Sequence, residues 1–169
     1  MTGAPLEGVR VLDFSTLLPG PLATLYLVQA GAEVIKIERP GTGDPVRSYP
    51  PFQEGKSILF ELLNGGKHSV ALDLKDQAPR PHLLDLVRSV DVLVEQFRPG
   101  VMARLQLDFD SLRTVHPELI YCSISGYGQH GARNQVVGHD LNYQAWTGLL
   151  ALAGEHDGCR IVPALIADI

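Results

Sequence analysis

Basic side chains follow three strand-like segments of the sequence and could together bind a phosphorylated ligand. Arg39 comes directly after EVIKIE, Lys75 after SVALDL and Arg98 after DVLVEQF, and each arginine begins the sequence Arg-Pro-Gly. If the strands are parallel, their carboxyl ends lie along one edge of the sheet, where open α/β sheets bind ligands. Guanidinium groups match the geometry of phosphate. We therefore expect an anion site at this edge, and the alternative is three unrelated solvated side chains.

A second group of ionisable residues could carry out acid–base or nucleophilic chemistry. His139 and Asp140 lie at the predicted start of a helix, where free backbone N–H groups favour negative charge. Asp168 lies in the almost wholly apolar segment PALIADI. Burial there would raise the pKa of its carboxyl and suit it to work as a general base or a nucleophile. The structural alternatives are a helix cap for Asp140 and a capped, non-catalytic Asp168.

The segment SGYGQHG places glycines at 126, 128 and 131, with the spacing G-x-G-x-x-G directly after a strand-like run. A dinucleotide fingerprint also requires a helix that begins at this turn. The residues that follow have no helical periodicity, so we predict a flexible loop whose glycines let the backbone approach a ligand. Walker A, G-x-S-x-G and H-E-x-x-H motifs are absent from the sequence, which disfavours phosphoryl transfer, serine hydrolysis and zinc proteolysis.

Short runs rich in Val, Ile and Leu alternate with segments of helical periodicity. The predicted strands are residues 9–14, 33–38, 69–74, 91–97 and 119–125. The predicted helices are residues 21–30, 83–90, 110–115 and 141–153. Residues 40–55 are rich in Pro and Gly and are predicted to form one long loop. This alternation predicts an α/β, Rossmann-like three-layer fold with a mostly parallel sheet.

The composition is that of an ordinary globular domain, with 169 residues of which 45% are hydrophobic and 20% charged. The net charge of −5 disfavours broad nucleic-acid binding. We find no signal peptide and no apolar run that could cross a membrane. Cys122 and Cys159 lack zinc-ligand spacing, so we expect no metal and two reduced thiols in a cytoplasmic protein.

Several motifs together resemble the N-terminal part of the family III CoA-transferases. They are VRVLDFSTLLPGPLATLYLVQAGAEVIKIERPGTGDPVR, NGGKHSVALDLK, DVLVEQFRPGVMARLQLDFDSL, HPELIYCSISGYGQHG and GHDLNY. The resemblance runs in one register over essentially the whole chain. The family includes formyl-CoA transferase and carnitine CoA-transferase and extends to 2-methylacyl-CoA racemase.

The resemblance implies coenzyme A, carried as an acyl-CoA, as the ligand of the basic edge. The positions that match coenzyme A contacts in the family are Arg39, Leu72, Lys75, Phe97, Arg98 and Arg104, and we add Asp140 to this group. Asp168 matches the aspartate that attacks the acyl-CoA thioester to form a mixed anhydride and then an aspartyl-CoA thioester. In the racemase branch, residues matching His139 and Asp168 are the two bases that exchange the α-proton.

Two departures from the family pattern point in opposite directions. Transferases usually carry Tyr where this chain has His139, which favours the racemase, whereas the racemase has Asn where this chain has Ala164. We predict a transferase that acts on an acyl-CoA and a carboxylic acid, with the racemase and a non-catalytic CoA-binding module as alternatives. Family chains are longer, so we expect residues 1–169 to be a truncated CoA-binding N-terminal α/β domain, inactive alone and part of a homodimer when full length.

Overall fold

The computed structural model describes residues 3–154, 158, 160–161 and 163–169. It forms two compact units, residues 1–124 and residues 125–169. The elements of the first unit are β1 (Arg10–Asp13), α1 (Pro19–Gln29), β2 (Glu33–Glu38), a 3-10 helix (Pro45–Ser48), β3 (Phe52–Gln53), β4 (Lys56–Ser57), α2 (Ile58–Asn64), β5 (His68–Ala71), α3 (Arg80–Arg88), β6 (Val92–Glu95), α4 (Val101–Arg104), α5 (Phe109–Arg113) and β7 (Ile120–Ser123). The second unit contains α6 (Asp140–Trp146) and α7 (Leu149–Leu152). One CoA-binding domain over residues 1–169 stays a prediction.

Five parallel strands form the main sheet, in the order β5-β2-β1-β6-β7. The central strand β1 pairs on both sides, with Leu12 in register with Ile35 of β2 and with Leu93 of β6. Parallel neighbours require crossover connections, and helices supply them here. The predicted α/β fold with a mostly parallel sheet is confirmed, and the carboxyl ends of β2, β5 and β6 lie at one edge.

Helices cover both faces of the sheet. Successive strand residues point to opposite sides, so neighbouring residues of one strand belong to different core clusters. Leu12 belongs to a core cluster with Leu83 and Val87 of α3, whereas its neighbour Val11 packs in a second cluster with Leu27 of α1. Full burial of such a side chain contributes about 1.5–3 kcal/mol. The two clusters form the interfaces of the three predicted layers.

The boundaries of α1 and β2 are set by local chemistry. Gly31 follows the helix with φ of +102°, and its N–H donates to the carbonyl of Val28. The N–H of Ala32 donates to the carbonyl of Leu27, which completes a Schellman motif. The chain then enters β2 at Glu33, the predicted start of that strand.

Three sequence predictions differ from the structure. Strands β5 and β6 end at Ala71 and Glu95, so Lys75 and Arg98 follow their strands by four and three residues rather than directly. The single helix predicted over residues 141–153 is instead two helices, α6 and α7, because Gly148 between them adopts a φ of +81° that interrupts the helix. Residues 40–55 are not one irregular loop, since they include the 3-10 helix and β3.

Ion pairs made by buried carboxylates hold the segment that follows β2. The Nζ of Lys36 lies 3.0 Å from Asp44 Oδ2 and donates to the carbonyl of Ser15 at 2.7 Å. Glu38 accepts two 2.7 Å hydrogen bonds from Arg47. Although burial raises the pKa of Glu38, hydrogen bonds from Arg47, Ser69 and the Asp44 N–H outweigh it and lower the pKa to about 2. These contacts fix the chain next to Arg39.

Two remaining sequence expectations concern thiols and membranes. Cys122 is an exposed free thiol in β7, and Cys159 lies outside the described residues. In the described ranges, every helix is too short or too polar to span a bilayer. Cytoplasmic location stays a prediction.

Candidate functional site

Two Arg-Pro-Gly turns carry Arg39 and Arg98 away from the sheet. The carbonyl of Arg98 accepts the N–H of Val101 at 3.0 Å across Gly100, whose φ is +85°. The carbonyl of Arg39 accepts from Gly43 at 2.9 Å, so the first turn is one residue wider. A positive φ at the glycine is what a Pro-Gly turn requires. Both guanidinium groups are exposed.

Lys75 is held by a turn that its acidic neighbours form. The Oδ1 of Asp73 accepts the N–H of Lys75 at 2.9 Å, and the Oδ1 of Asp76 accepts the N–H of Ala78 at the same distance. Asp side chains that bond to the backbone two residues on define a turn without further contacts. The ammonium group of Lys75 is therefore presented to solvent from an ordered segment.

Lys75 and Arg104 line one open cavity of about 490 Å³. The segment after β5 forms one wall and the end of α4 forms the other. Its lining residues are Leu74, Lys75, Gln77, Arg104, Leu105 and Gln106. The volume lies within the range of about 300–1,000 Å³ that is typical of small-molecule sites. The two cations and the two side-chain amides of this lining suit a phosphate, and the two leucines beside them suit an apolar group attached to that phosphate.

Arg80 supports the α4 wall of this cavity. Its Nη1 donates to the carbonyl of Leu105 and its Nη2 to the carbonyl of Gln106, both at 2.7 Å. Gln106 has a φ of +54°, a conformation that a non-glycine residue holds only when its surroundings fix it. Sequence reasoning missed Arg80, Gln77 and Gln106, and no sequence signal marks them, because the contact joins two distant segments.

The predicted coenzyme A residues of the first unit separate into three groups. Lys75 and Arg104 share the cavity, whereas Arg39 and Arg98 stand outside its lining. Leu72 and Phe97 are half-buried and pack against the core cluster that contains Leu12. Across the described ranges, none of these four cations forms a salt bridge. Their charges are therefore uncompensated by carboxylate contacts.

In the second unit, the glycine-rich segment is a loop as predicted. The described residues between β7 and α6 contain no helix, so the spacing of Gly126, Gly128 and Gly131 does not form a dinucleotide-binding turn. Gly126 and Gly138 both lie against the ring of Tyr143, where an added Cβ would come within 2.6 Å of ring or hydroxyl atoms. Glycine is needed at these two positions for the close approach of the ring.

His139 and Asp140 begin α6, with different environments. His139 is the exposed N-cap residue, and its N–H donates to Asn142 Oδ1 at 3.0 Å. Asp140 is only 5% exposed, and its Oδ1 accepts the N–H groups of Ala167 at 2.6 Å and Asp168 at 3.1 Å. Binding of coenzyme A by Asp140 stays a prediction. The hydrogen bonds from Ala167 and Asp168 occupy the Asp140 carboxylate and do not favour that role.

The carboxyl of Asp168 is half-buried and chemically perturbed. Burial raises its pKa, the nearby charge of Asp140 raises it further, and His139 opposes both effects. The structure thus brings together His139, Asp140 and Asp168, the three ionisable residues that the sequence singled out in this unit. A partly desolvated carboxylate of raised pKa is more basic than a solvated one and suits nucleophilic attack.

Metal ligands were not expected from the sequence. Within the described part of the chain, no three His, Cys, Asp or Glu side chains are grouped as they would be around a metal ion.

Comparisons with known proteins give consistent relatives. The sequence profile described as CoA-transferase family III matches residues 6–169. Acetyl-CoA:oxalate CoA-transferase of Acetobacter aceti is 43% identical over 91% of this chain and 40% of its own length. Succinyl-CoA:glutarate CoA-transferase of Mus musculus is 41% identical over 95% of this chain and 37% of its own. The crystal structure of a CAIB/BAIF family protein from Brucella suis matches with a TM-score of 0.92 and 34% identity, over 99% of this chain and 46% of that one. The chain thus spans less than half the length of these relatives.

Proposed function

The chain belongs to CoA-transferase family III, and from this membership we propose that the protein containing it moves coenzyme A between carboxylic acids. Asp168 is the nucleophile. The observation that carries the proposal is the half-buried Asp168 carboxyl, whose pKa is raised by burial and by Asp140. The relatives from Acetobacter aceti and Mus musculus are both named as CoA-transferases, which supports transfer over the racemase alternative.

Transfer through Asp168 follows the course that the family resemblance implies. The carboxylate attacks the thioester carbonyl of the acyl-CoA donor, a carbon–oxygen bond forms, and coenzyme A leaves as a thiolate. The thiolate attacks the Asp168 carbonyl of the mixed anhydride, which yields an aspartyl-CoA thioester and releases the donor carboxylate. The acceptor carboxylate then attacks the aspartyl-CoA thioester and displaces the coenzyme A thiolate, which leaves a new mixed anhydride. The thiolate attacks the acyl carbonyl of this anhydride, which forms the new acyl-CoA and restores the Asp168 carboxylate. The sequence of steps consumes no net proton.

The chemistry of the first unit fits coenzyme A as the carrier of the acyl group. We propose that one phosphate group lies between Lys75 and Arg104, with the apolar wall of the cavity beside the adenine. Leu72, Phe97, Arg39 and Arg98 complete the binding surface in this proposal. Uncompensated cations in an acidic protein make a local anion site, which charge attraction favours.

The test compares the wild-type protein with Asp168→Ala. Acetyl-CoA or succinyl-CoA serves as donor and oxalate or glutarate as acceptor, and product acyl-CoA is measured. We expect Asp168→Ala to abolish transfer while it still binds coenzyme A, because the nucleophile is lost and the basic cavity is intact. Asp110→Ala, on the exposed surface of α5, is the matched control and should retain activity. Full transfer by Asp168→Ala would refute the proposal.

Alternative activities give different results in the same preparation. A racemase would exchange the α-proton of a 2-methylacyl-CoA for deuterium in heavy water, and His139→Ala would stop exchange from one face. A binding module would bind coenzyme A without either reaction.

The full-length protein is proposed to be a cytoplasmic homodimer. Light scattering would test the homodimer, and cell fractionation would test the cytoplasmic location.

A further inference from the structure

The carboxylate of Asp140 serves a distant segment of chain rather than its own helix. It occupies the first position of α6, yet its Oδ1 accepts hydrogen bonds from the N–H groups of Ala167 and Asp168, 27 and 28 residues later. The side chain is 5% exposed. Charge-assisted bonds of this kind are about twice as strong as neutral ones. The contact therefore fixes the backbone at the position of the proposed nucleophile.

Gln144 extends this contact along the same segment. It lies one helical turn after Asp140, is 1% exposed, and its Nε2 donates both to Asp140 Oδ2 and to the carbonyl of Ala164 at 3.2 Å. Residues at i and i+4 share one face of a helix. Asp140 and Gln144 together hold three backbone groups between positions 164 and 168, so that this stretch is attached to α6 at both ends.

We propose that Asp140 is a positioning residue for transfer, which holds the Asp168 backbone so that its carboxylate meets the thioester in one geometry. The inference rests on the proposed function of Asp168. Fixing the N–H of Asp168 fixes its Cα, which leaves only two side-chain torsions between the fixed backbone and the attacking oxygen. A misplacement of about 1 Å can lower the rate about a hundredfold, so a fixed backbone has a direct kinetic value.

A second reading of Asp140 is purely electrostatic. Its negative charge raises the pKa of Asp168, as burial does to a larger extent. Asp140→Asn removes the charge but keeps an Oδ1 that can accept from the Ala167 and Asp168 N–H groups. Its amide nitrogen replaces the oxygen that accepts from Gln144, so the Gln144 contact changes together with the charge. Asp140→Ala removes both the acceptor and the charge.

The experiment uses the full-length protein and two measurements. The first is hydrogen exchange, followed by mass spectrometry, of the peptide that contains residues 163–169, with the α6 peptide as internal reference. The second is kcat and KM for transfer, normalised to the coenzyme A binding stoichiometry so that unfolded protein is not counted.

We expect Asp140→Ala to speed exchange at residues 163–169 but not in α6, and to lower kcat at least tenfold with KM within about threefold. Asp140→Asn should keep the protection and retain at least a third of the wild-type kcat. Asp110→Ala should match the wild type in both measurements.

Wild-type kcat or unchanged exchange in Asp140→Ala would overturn the inference. If Asp140→Ala also speeds exchange in α6, the Asp140→Asn variant decides between the two readings. Retained protection of residues 163–169 together with retained kcat in Asp140→Asn supports positioning. A kcat of Asp140→Asn as low as that of Asp140→Ala overturns positioning in favour of the charge. A wild-type protein without transfer activity would instead refute the proposed function, which keeps the two failures distinct.

Discussion

Replacement of the two cavity cations should weaken coenzyme A binding in a phosphate-specific way. Lys75 and Arg104 line the same cavity, and neither is neutralised by a carboxylate among the described residues. A hydrogen bond to a charged group contributes about 1.5–3 kcal/mol. Both side chains are exposed and screened by water, so the lower end applies.

The expected loss is therefore about 1.5 kcal/mol for Lys75→Ala or Arg104→Ala, which corresponds to slightly more than about tenfold in Kd. The double variant should lose about a hundredfold if the two cations act independently. Isothermal titration calorimetry measures both losses. Raising the salt concentration should reduce the affinity of the wild type more than that of the double variant, because the variant has fewer charges to screen.

Titration with 3′-dephospho-CoA identifies the phosphate involved. If the cavity binds the 3′-phosphate, the variants and the wild type should bind this analogue equally, whereas a pyrophosphate contact would preserve the tenfold difference. Arg113→Ala is the control, since Arg113 is exposed on α5 and lies outside the cavity. An affinity for coenzyme A within twofold of wild type in both single variants would refute the assignment of the cavity.

Three further predictions concern the parts of the fold that support the binding edge. The pKa of Glu38 is lowered from 4.5 to about 2, so its ion pair stabilises the fold above about pH 4.5 and this contribution is lost as the pH falls towards 2. The free energy of unfolding in urea should therefore differ between wild type and Glu38→Gln by at most about 3 kcal/mol above pH 4.5, and this difference should shrink as the pH falls. Arg80→Ala removes two hydrogen bonds from the cavity wall, so calorimetry should show coenzyme A binding about threefold weaker, with a loss of about 1–2 kcal/mol in unfolding free energy. Gly100→Ala places a side chain at a residue whose φ is +85°, so a thermal melt should show a free energy of unfolding lower by about 1 kcal/mol.

Each of these predictions has an outcome that would contradict it. A stability difference for Glu38→Gln that does not change between pH 6 and pH 2 would show that the hydrogen bonds from Arg47, Ser69 and the Asp44 N–H do not lower the Glu38 pKa in solution. Wild-type affinity in Arg80→Ala would mean that the carbonyls of Leu105 and Gln106 keep their places without it. A stabilised Gly100→Ala would contradict the left-handed turn before α4.

The sheet could be predicted from the sequence because its signals are local. EVIKIE carries the Val and Ile residues typical of a strand and has the bounds of β2, and Gly31 marks the end of α1 by its freedom to adopt positive φ. The hairpin of β3 and β4 has two residues in each strand, too few for a periodic pattern. The break at Gly148 was missed because leucines and alanines continue the helical pattern across it.

The candidate site was only partly predictable, since its chemistry depends on contacts between distant segments. Residue types alone singled out Lys75 and Asp168, and Arg104 came from the family resemblance. That Lys75 and Arg104 share a cavity follows only from the packing of α4 near the segment after β5. The bond between Asp140 and the Ala167 N–H spans 27 residues and leaves no mark on sequence periodicity.

Trapping of the covalent intermediate tests the central claim most directly. Full-length protein is incubated with acyl-CoA donor and no acceptor, hydroxylamine is added, and the peptide that contains Asp168 is analysed by mass spectrometry. Hydroxylamine attacks an activated aspartyl carbonyl and leaves a hydroxamate, whereas a free carboxylate does not react. We predict a hydroxamate at Asp168 that requires the donor and that Asp140 and Asp110 do not acquire. A protein that transfers coenzyme A and yields no modified Asp168 would contradict the assignment of this residue as the nucleophile.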